Sequence, residues 1–331
     1  MITAKAPGKI IISGEHAVVY KNPALARAIN IFSTTSITKS PQKKISLNLV
    51  NLKYNAEFAF GQIVRHTEII RNRYISFLEH KISIKNILRH PSELIIYTIG
   101  SFISFFSLSL IEGFAIEIDS QIPGGYGLGS SAAVIVSILK ALIIFFAIKT
   151  DETTLWHIGR SIENLQHGLS SGLDIYLALN GGVVYFAEGK FSSRKITEVP
   201  MQFINTGKPE ASTGVSVSSV AAKINNAITL NRFSDVTRAL DIAFGNHDST
   251  LIKKYIHENH ILLEEIGVVP LKVSNFIARL ESENIAAKIS GSGAVCGDNA
   301  GIVLVIGNDN IDDIVQEFGY EIFNINGEEN V

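Results

Sequence analysis

Cysteine, tryptophan and methionine are scarce in this chain of 331 residues, which contains one, one and two of them respectively. The single cysteine, Cys296, excludes an internal disulfide and any metal site built from several cysteines, and this usage fits a reducing cytoplasm. Because the sequence shows no base partner for Cys296, we expect a packed thiol at this position.

An excess of charge of one sign is also lacking. The 29 basic and 31 acidic residues give a formal net charge of −2. This balance provides no electrostatic reason to expect nucleic acid or an anionic membrane as a partner. Any phosphate recognition by this chain must therefore be local.

Neither a signal peptide nor a membrane-spanning helix is predicted. The apolar run in residues 1–12 is too short for a signal peptide, and Lys9 interrupts it. Leu94–Ile111 is uncharged and about long enough for the usual rule of roughly 18 residues, but its serines and glycine favour a buried helix. Ala132–Ile148 contains Lys140, which favours a core helix. We therefore expect a cytoplasmic protein without a membrane anchor.

The length exceeds that of a usual single core, so two domains are expected, at residues 1–180 and 181–331. Strands and helices interleave without a regular βαβ rhythm, which favours an α+β fold. Strands are predicted at 2–13, 32–50, 113–120, 181–186, 285–290 and 300–306, and helices at 58–80, 94–110, 132–148, 151–168, 211–220, 233–244, 251–266 and 271–280.

The most informative segment is Pro123–Ala133, which reads Pro-Gly-Gly-Tyr-Gly-Leu-Gly-Ser-Ser-Ala-Ala. Its glycines expose backbone N–H groups where an apolar helix begins, and the helix dipole adds positive potential there, so the segment favours phosphate. Ser130 and Ser131 are placed to cap the helix or to reach a phosphate-bound Mg²⁺ ion. A plain strand-to-helix turn would explain one glycine but not three at every second position.

The loop differs from the common nucleotide motifs, because it lacks the Lys-Ser/Thr ending of a Walker A loop and the glycine spacing of the dinucleotide and protein-kinase loops. From Pro123 to Ala132 it resembles the nucleotide loop of the GHMP kinases, a superfamily that includes galactokinase, homoserine kinase, mevalonate kinase and phosphomevalonate kinase. The resemblance implies ATP binding by Pro123, Gly125, Gly127, Leu128, Gly129, Ser130, Ser131 and Ala132.

The N-terminal segment Ala6–Tyr20 resembles the first motif of the same superfamily. Its Gly-Glu-His-Ala-Val-Val-Tyr is most similar to mevalonate kinases, whereas galactokinases typically have Gly-Glu-His-Thr-Asp-Tyr. The resemblance implies that Lys9 is catalytic and that Glu15 and His16 lie on the substrate side, with Glu15 holding Lys9 or the substrate edge. Taken alone, Lys9 is better explained by a side chain that reaches the surface, and Glu15-His16 by a solvated turn.

Residues 167–174 resemble the mevalonate-kinase segment His-Gly-x-Pro-Ser-Gly-x-Asp, whose aspartate is the proposed catalytic base. Asp174 matches that base, and Glu163 matches the family's magnesium ligand, with Ser131 as the second ligand. Ser170 stands where the family has proline, which we expect to loosen the turn. A helix beginning just before Asp174 would place it in the first turn, where the dipole favours the carboxylate form. Alone, Asp174 would be an ordinary helix-start aspartate.

Two further segments carry weaker signals. Residues 287–298 resemble the third motif, usually Lys-x-Thr-Gly-Ala-Gly-x-Gly-Gly-Cys, but Ala294 and Val295 replace smaller residues. A tight strand-to-strand turn explains this segment equally well. The hydroxyl pair at Ser212 and Thr213 is typical of a helix cap, while the family places a substrate-side threonine in this region, for which Thr213 is the candidate.

The resemblance extends in family order from Ala6 to about Ile306. It implies transfer of the ATP γ-phosphoryl group to the 5-hydroxyl of (R)-mevalonate with Mg²⁺, in isoprenoid synthesis. It also implies a two-domain GHMP kinase fold, with an N-terminal domain like the second domain of ribosomal protein S5, a ferredoxin-like C-terminal domain, and the substrates between them. The oligomeric state stays open, a homodimer included.

Two alternatives remain. Phosphomevalonate kinase, or another small-molecule kinase of the superfamily, would need extra basic residues for a phosphorylated acceptor, and Arg160, one helical turn before Glu163, is the nearest candidate. A catalytically silent protein that binds a metabolite and regulates a partner would be expected to lose the base, the metal ligand or the lysine. This chain retains Asp174, Glu163 and Lys9, which disfavours that function.

Overall fold

Strands and helices alternate irregularly in the computed structural model, which describes residues 1–109, 112–195, 199–210 and 213–324 and confirms the α+β prediction. The strands are β1 (Ile2–Ser13), β2 (Ala24–Ser40), β3 (Lys44–Leu49), β4 (Tyr54–Ala59), β5 (Gly113–Ser120), β6 (Val183–Ala187), β7 (Lys190–Arg194), β8 (Met201–Asn205), β9 (Ala287–Ser290), β10 (Ile302–Ile306) and β11 (Glu321–Ile322). The α-helices are α1 (Phe60–Leu78), α2 (Pro91–Phe105), α3 (Ser130–Phe145), α4 (Glu152–His167), α5 (Leu173–Asn180), α6 (Thr213–Ile224), α7 (Ala227–Gly245), α8 (Ser249–Ile266), α9 (Leu271–Glu281) and α10 (Asp312–Glu317).

The chain forms two compact units, and each is assembled from separate stretches of sequence. The first unit contains the described residues of 1–8, 31–122 and 129–180. The second contains 9–30, 123–128 and the described residues from 181 onward. Strands β1 and β2 and the loop before α3 therefore each contribute residues to both units. A domain boundary between residues 180 and 181 stays a prediction.

In the first unit, strands pair in the order β4-β3-β5-β2. β3 and β5 are parallel, and the crossover that such a pair requires contains α1 and α2. β5 has the predicted bounds because its apolar residues alternate with polar ones, so that Phe114, Ile116 and Ile118 point into the core. The period of two in the sequence thus located this strand correctly.

Helix α3 follows the glycine-rich loop and packs against α2, α4 and α5 of the same unit. Its apolar run is interrupted by Lys140, whose ammonium donates to the carbonyl oxygens of Ala178 at 3.3 Å and Leu179 at 2.9 Å. Burial lowers the pKa of Lys140. These carbonyls lie at the C-terminal end of α5, where a cation is favoured, so the lysine is compatible with the predicted core helix.

The long apolar stretch that begins at Leu94 forms most of α2, and Leu94, Ile99 and Phe102 are buried in the first unit. The prediction of a helix is therefore confirmed up to Phe105 and its burial up to Ile103, since Phe105 is exposed, while Leu110 and Ile111 lie outside the described residues. Across the described ranges, the structure contains no helix with the length and apolar character needed to cross a membrane.

The second unit contains a four-stranded antiparallel sheet in the order β11-β8-β10-β9. Helices α8 and α9 pack on β9, and α7 packs on α8. Every residue of β10 is buried, and Phe233, Leu263 and Phe276 complete the apolar core from the helices. Separately, the first residues of β2 pair with β6, which forms an antiparallel hairpin with β7.

The prediction of a packed thiol at Cys296 is wrong, because this side chain is exposed. Cys296 lies in the long turn between β9 and β10, where Gly297 and Asp298 are exposed as well. Ala294 and Ala300 on either side are buried, so the turn is anchored at its two ends and projects between them.

Candidate active site

The glycine-rich loop joins β5 to α3 and has a backbone that requires glycine. Gly125, Gly127 and Gly129 have φ angles of 89°, 80° and 73°, a left-handed region that residues with a side chain rarely adopt. Helix α3 begins directly after Gly129 and runs for 16 residues. Its first N–H groups have no partners within the helix, and its dipole is positive at this end, so the local backbone favours an anion.

The two serines after the loop are the first residues of α3 and do not cap it. Gly129 occupies the N-cap position, without a side-chain cap, so the capping alternative is wrong. The Ser130 hydroxyl donates to the carbonyl oxygen of Ile122 at 3.3 Å, while Ser131 is half-buried. The neighbouring Leu128 and Ala132 are buried and anchor the ends of this segment.

Within the second unit, the loop contacts segments from both ends of the sequence. The Lys9 N–H donates to the Leu128 carbonyl at 2.9 Å, which ties the loop to β1. A Cβ on Gly127 would lie 3.0 Å from the Ser290 carbonyl at the end of β9. The Ser290 hydroxyl accepts from the Ile11 N–H at 3.1 Å and donates to the Ile11 carbonyl at 3.0 Å. The structure thus brings three of the sequence motifs together.

Three charged side chains are buried beside this junction: Lys9, Glu15 and Lys288, which are 5%, 1% and 0% exposed. Both surface alternatives, a lysine that reaches solvent and a solvated Glu15-His16 turn, are therefore wrong. The Lys288 ammonium donates to the Glu15 carboxylate and, at 2.7 Å, to the carbonyl oxygen of its neighbour Ile289. Sequence reasoning missed Lys288, although it is the lysine with which the third motif begins.

Burial dominates the electrostatics of this pair. It raises the pKa of Glu15, against the opposing effects of Lys288 and, more weakly, Lys9. It lowers the pKa of Lys288, against the opposing effect of Glu15, and the positive charge of Lys9 lowers that pKa further. Desolvation thus disfavours the charged forms of both groups, and the attraction between Glu15 and Lys288 opposes it.

His16 is buried in the turn after β1, and its backbone is left-handed with a φ of 60°. Its Nε2 lies 3.0 Å from the Ser292 carbonyl, which can only accept, so Nε2 carries the proton. Burial lowers the pKa of His16 to about 4, so the ring is neutral near pH 7. The turn itself requires Gly14, with a φ of 93°, because a Cβ there would lie 2.6 Å from the Cα of Ala24.

The acidic candidates lie in the first unit, on α4 and α5. Asp174 is half-buried in the first turn of α5, which confirms its predicted place at a helix start. Glu163 is only 1% exposed, and its carboxylate accepts a hydrogen bond from the Ser170 hydroxyl. That hydroxyl oxygen also accepts from the Gly172 N–H at 2.9 Å, so one serine joins the metal-ligand candidate to the turn before α5.

The expectation that Ser170 loosens this turn is wrong. Besides its two hydroxyl contacts, its N–H donates to the side-chain oxygen of Asn164 at 2.8 Å, and its carbonyl accepts from Arg160 Nε at 3.0 Å. Gly172 has a φ of 80°, and a Cβ there would lie 2.6 Å from the Trp156 ring, whose N–H donates to the Gly172 carbonyl at 2.9 Å. Side-chain hydrogen bonds thus replace the rigidity of proline.

Arg160 was the nearest basic candidate for a phosphorylated acceptor. Its guanidinium also lies over the Trp156 ring, 5.3 Å from the centroid, in addition to its bond to the Ser170 carbonyl. Arg160 therefore stabilises the turn around Ser170 in the first unit. Thr213 begins α6, but its side chain, like the whole of Ser212, lies outside the described residues.

The candidate metal ligands suit Mg²⁺. Among the described residues, no three or more His, Cys, Asp or Glu side chains are grouped as a protein-only metal site would require. Mg²⁺ usually binds one or two protein oxygens together with substrate phosphates, and Glu163 and Ser131 offer a carboxylate and a hydroxyl on the adjacent helices α4 and α3. This donor set fits a nucleotide-bound ion.

Comparison with known proteins places this arrangement in a family. Residues 94–182, which contain the loop helix, Glu163 and Asp174, match the N-terminal domain of the GHMP kinases. Mevalonate kinase from Archaeoglobus fulgidus is 32% identical over 292 residues, covering 88% of each chain, and that from Thermococcus sibiricus is 29% identical over 310 residues, covering 88% of this chain and 86% of its own.

The fold agrees with that relationship. The crystal structure of the Methanococcus jannaschii mevalonate kinase has a TM-score of 0.79 at 22% identity, over 97% of this chain and 96% of its own. The predicted two-domain GHMP kinase fold and the prediction of an ATP-dependent kinase are confirmed. The chain belongs to the mevalonate kinases of the GHMP kinase family.

Proposed function

We propose that this enzyme transfers the γ-phosphoryl group of ATP to the 5-hydroxyl of (R)-mevalonate, an early step of isoprenoid synthesis. The observation that carries the proposal is the hydrogen bond from the Lys9 N–H to the Leu128 carbonyl, because it ties the candidate catalytic lysine to the phosphate loop. The choice of acceptor rests on the relatives. They are named mevalonate kinases, and this chain matches them over most of their length.

Binding of ATP is assigned to the loop amides and the first turn of α3. The left-handed glycines leave room for phosphate oxygens close to the backbone, and the unpartnered helix N–H groups can donate to them. Glu163 and Ser131 would hold Mg²⁺, which, when bound, supplies positive charge to the triphosphate.

Acceptor activation is assigned to Asp174 and Lys9. An aliphatic alcohol is a very weak acid, so proton transfer to Asp174 should occur late, with the carboxylate mainly orienting the hydroxyl. Lys9 would stabilise the negative charge that develops on the acceptor oxygen and the migrating phosphoryl group. Positioning and electrostatics therefore carry most of the rate, and general-base assistance contributes roughly 10²–10⁴-fold.

The remaining candidates form the acceptor side. Glu15 accepts a hydrogen bond from Lys288, and its carboxylate also interacts electrostatically with Lys9. His16, neutral near pH 7, shapes the pocket without adding charge. Thr213 is the proposed hydroxyl contact to mevalonate at the start of α6.

The test is ATP consumption by the purified protein with Mg²⁺, with mevalonate, phosphomevalonate, galactose and homoserine offered in parallel. We expect turnover with mevalonate and none with the other three acceptors. A preference for phosphomevalonate would instead assign the sibling reaction. That outcome is disfavoured because Arg160, the candidate for its additional phosphate, serves the turn around Ser170.

A silent, regulatory protein is distinguished in the same experiment. It would bind ATP, measured by calorimetry, without consuming it in the presence of any of the four acceptors. Retention of Asp174, Glu163 and Lys9 is the reason to expect turnover.

A further inference from the structure

The phosphate loop lacks the lysine with which a Walker A loop ends, so a protein cation in the place of that lysine would come from another segment. Lys208, three residues beyond the end of β8, lies against the loop within the second unit. Its Cε is 2.9 Å, and its Cδ and Cγ are 3.8 Å, from the position that a Cβ on Gly125 would occupy. The Lys208 side chain therefore lies against Gly125 of the loop.

The backbone around Lys208 is fixed by the segment before β10. The Thr206 N–H donates to the Gly301 carbonyl at 2.9 Å, and the Gly301 N–H donates to the Gly207 carbonyl at 3.1 Å. The side-chain amide of Asn299 donates to the Lys208 carbonyl at 3.4 Å. Lys208 thus starts from an ordered turn, although its side chain is exposed.

The backbone segment around Lys208 and Gly301 also contacts the phosphate loop. Gly301 has a φ of 84°, and a Cβ there would lie 2.8 Å from the Tyr126 carbonyl. Only glycine allows this approach, because a side chain would overlap the loop backbone. The base of Lys208 and the loop are therefore held in a constant relation, with Gly301 as the contact between them.

The charge of the Lys208 ammonium group is available to a bound anion. In the described ranges of the chain, no carboxylate lies within ion-pair distance of it. A lysine beside Gly125, in a loop whose backbone already favours anions, adds a positive charge to that site.

We propose that Lys208 binds the phosphate groups of the nucleotide at this loop, in the place of a Walker A lysine. The inference rests on the proposed function insofar as the loop binds ATP, but it does not depend on the acceptor. Lys208 is a nucleotide-binding residue, whereas Lys9 acts on the acceptor side. Loss of Lys208 should therefore weaken the interaction with ATP and leave the KM for the acceptor unchanged.

The test compares the full-length chain with three variants, Lys208→Met, Lys208→Arg and Lys190→Met. Lys190 is a matched control, because it is an exposed lysine of the same unit on β7. Calorimetric titrations with ATP, ADP and adenosine, all in the presence of Mg²⁺ and without acceptor, give the dissociation constants. Steady-state kinetics then give the KM values for ATP and for mevalonate.

Lys208→Met should weaken ATP binding about 10- to 50-fold, the size of a charge-assisted phosphate contact, and leave adenosine binding unchanged. Lys208→Arg should stay within about threefold of wild type because the charge is kept, and Lys190→Met should match wild type. Equal ATP affinities for wild type and Lys208→Met would overturn the proposal, as would an equal loss for adenosine.

The outcome for Lys208 is separable from that for the proposed function. A wild-type protein that binds ATP but phosphorylates no acceptor contradicts the proposed function, while the binding series still decides the role of Lys208. A wild-type protein that binds adenosine and ATP equally well contradicts both.

Discussion

Glu15 in the second unit and Glu163 in the first are the same residue type with the same 1% exposure, yet they have different partners. The carboxylate of Glu15 accepts a hydrogen bond from the Lys288 ammonium group, whereas the carboxylate of Glu163 accepts one from the Ser170 hydroxyl. A buried ammonium carries a charge that must itself be compensated, and a hydroxyl does not. Loss of the partner should therefore cost more at Glu15 than at Glu163.

The difference also separates two uses of a buried acid. The Glu15–Lys288 pair joins residues 273 positions apart in sequence and connects β9 to the turn after β1. Glu163 and Ser170 are seven positions apart, and their bond shapes one local turn before the helix that carries Asp174. We expect the first contact to govern stability and the second to govern the geometry of the proposed metal and base.

The largest effect should come from Asp174, the half-buried acid in the first turn of α5. Asp174→Asn should lower kcat by roughly 10²–10⁴-fold while ATP affinity and the urea midpoint stay near wild type, because the amide keeps the shape and loses the base. Steady-state kinetics and calorimetry measure the two effects. Asp313→Asn is the control, since Asp313 is an exposed aspartate in the first turn of α10. An equal loss of turnover and ATP binding in Asp174→Asn would contradict the assignment.

The next effect tests the charged partner. Lys288→Met leaves the Glu15 carboxylate buried without its ammonium, which should lower the free energy of unfolding by about 3–5 kcal/mol. Urea unfolding monitored by circular dichroism measures the loss. The double variant Glu15→Gln/Lys288→Met should recover part of it, because the uncompensated charge is gone. If the loss of stability in the double variant equals the sum of the losses in Glu15→Gln and Lys288→Met, the two side chains are not coupled. The comparison with Glu163 would then fail.

A matched lysine sharpens this result. Lys140 is half-buried in the first unit and donates to the carbonyl oxygens at the end of α5 instead of to a carboxylate. Lys140→Met should therefore cost less than Lys288→Met, since it strands carbonyls that carry only partial charge. Equal losses in the two variants would mean that the burial of the lysine stem, and not the ion pair, sets the effect.

In both units, elements with a regular apolar pattern were predicted better than those that depend on pairing with a distant strand. Contacts between residues close in sequence were predicted well: alternation located β5, and Gly168 ends α4 where the pattern changes. The short or polar strands β4, β7, β8 and β11 were missed, because Lys190–Arg194, for example, has no apolar alternation and is a strand only through pairing with β6. Tertiary pairing decided these elements.

The site shows the same limit. The loop, Lys9, Glu163 and Asp174 were found because their motifs are contiguous and have a family resemblance. Lys288 and Lys208 were missed, because the contacts that matter join them to residues far away in sequence. A lysine at the start of the third motif was visible, but its burial against Glu15 follows only from the packing of β9 beside β1.

A smaller effect concerns pH. The pKa of His16 is lowered to about 4 by burial, so between its ordinary value and pH 4 the unfolded chain binds one more proton than the folded one. The stability due to neutral His16 is thus complete above pH 6.5 and is lost as the pH falls, by roughly 3 kcal/mol in total. Urea unfolding between pH 4 and pH 7 measures this slope. His16→Asn, which tolerates the left-handed backbone, should flatten it.

His247→Asn is the matched control for that series, because His247 has a similar φ of 58° but an exposed side chain. It should leave the wild-type slope unchanged. If His16→Asn keeps the wild-type pH dependence, the buried imidazole is not its source. Within the comparison of the two units, the acid sensitivity would then have to come from another group.

The smallest effect tests the neutral partner. Ser170→Ala removes the hydroxyl that donates to Glu163 and accepts from the Gly172 N–H, and should cost about 1.5–3 kcal/mol, as for a hydrogen bond to a charged group. The apparent affinity for Mg²⁺, read from the metal dependence of kcat, should fall as well, because the carboxylate loses its orienting donor. Ser161→Ala on the same helix removes only a bond to the Ile158 carbonyl and serves as control. A loss at Ser170 as large as that in Lys288→Met would show that burial alone, and not the charge of the partner, sets the cost at both glutamates.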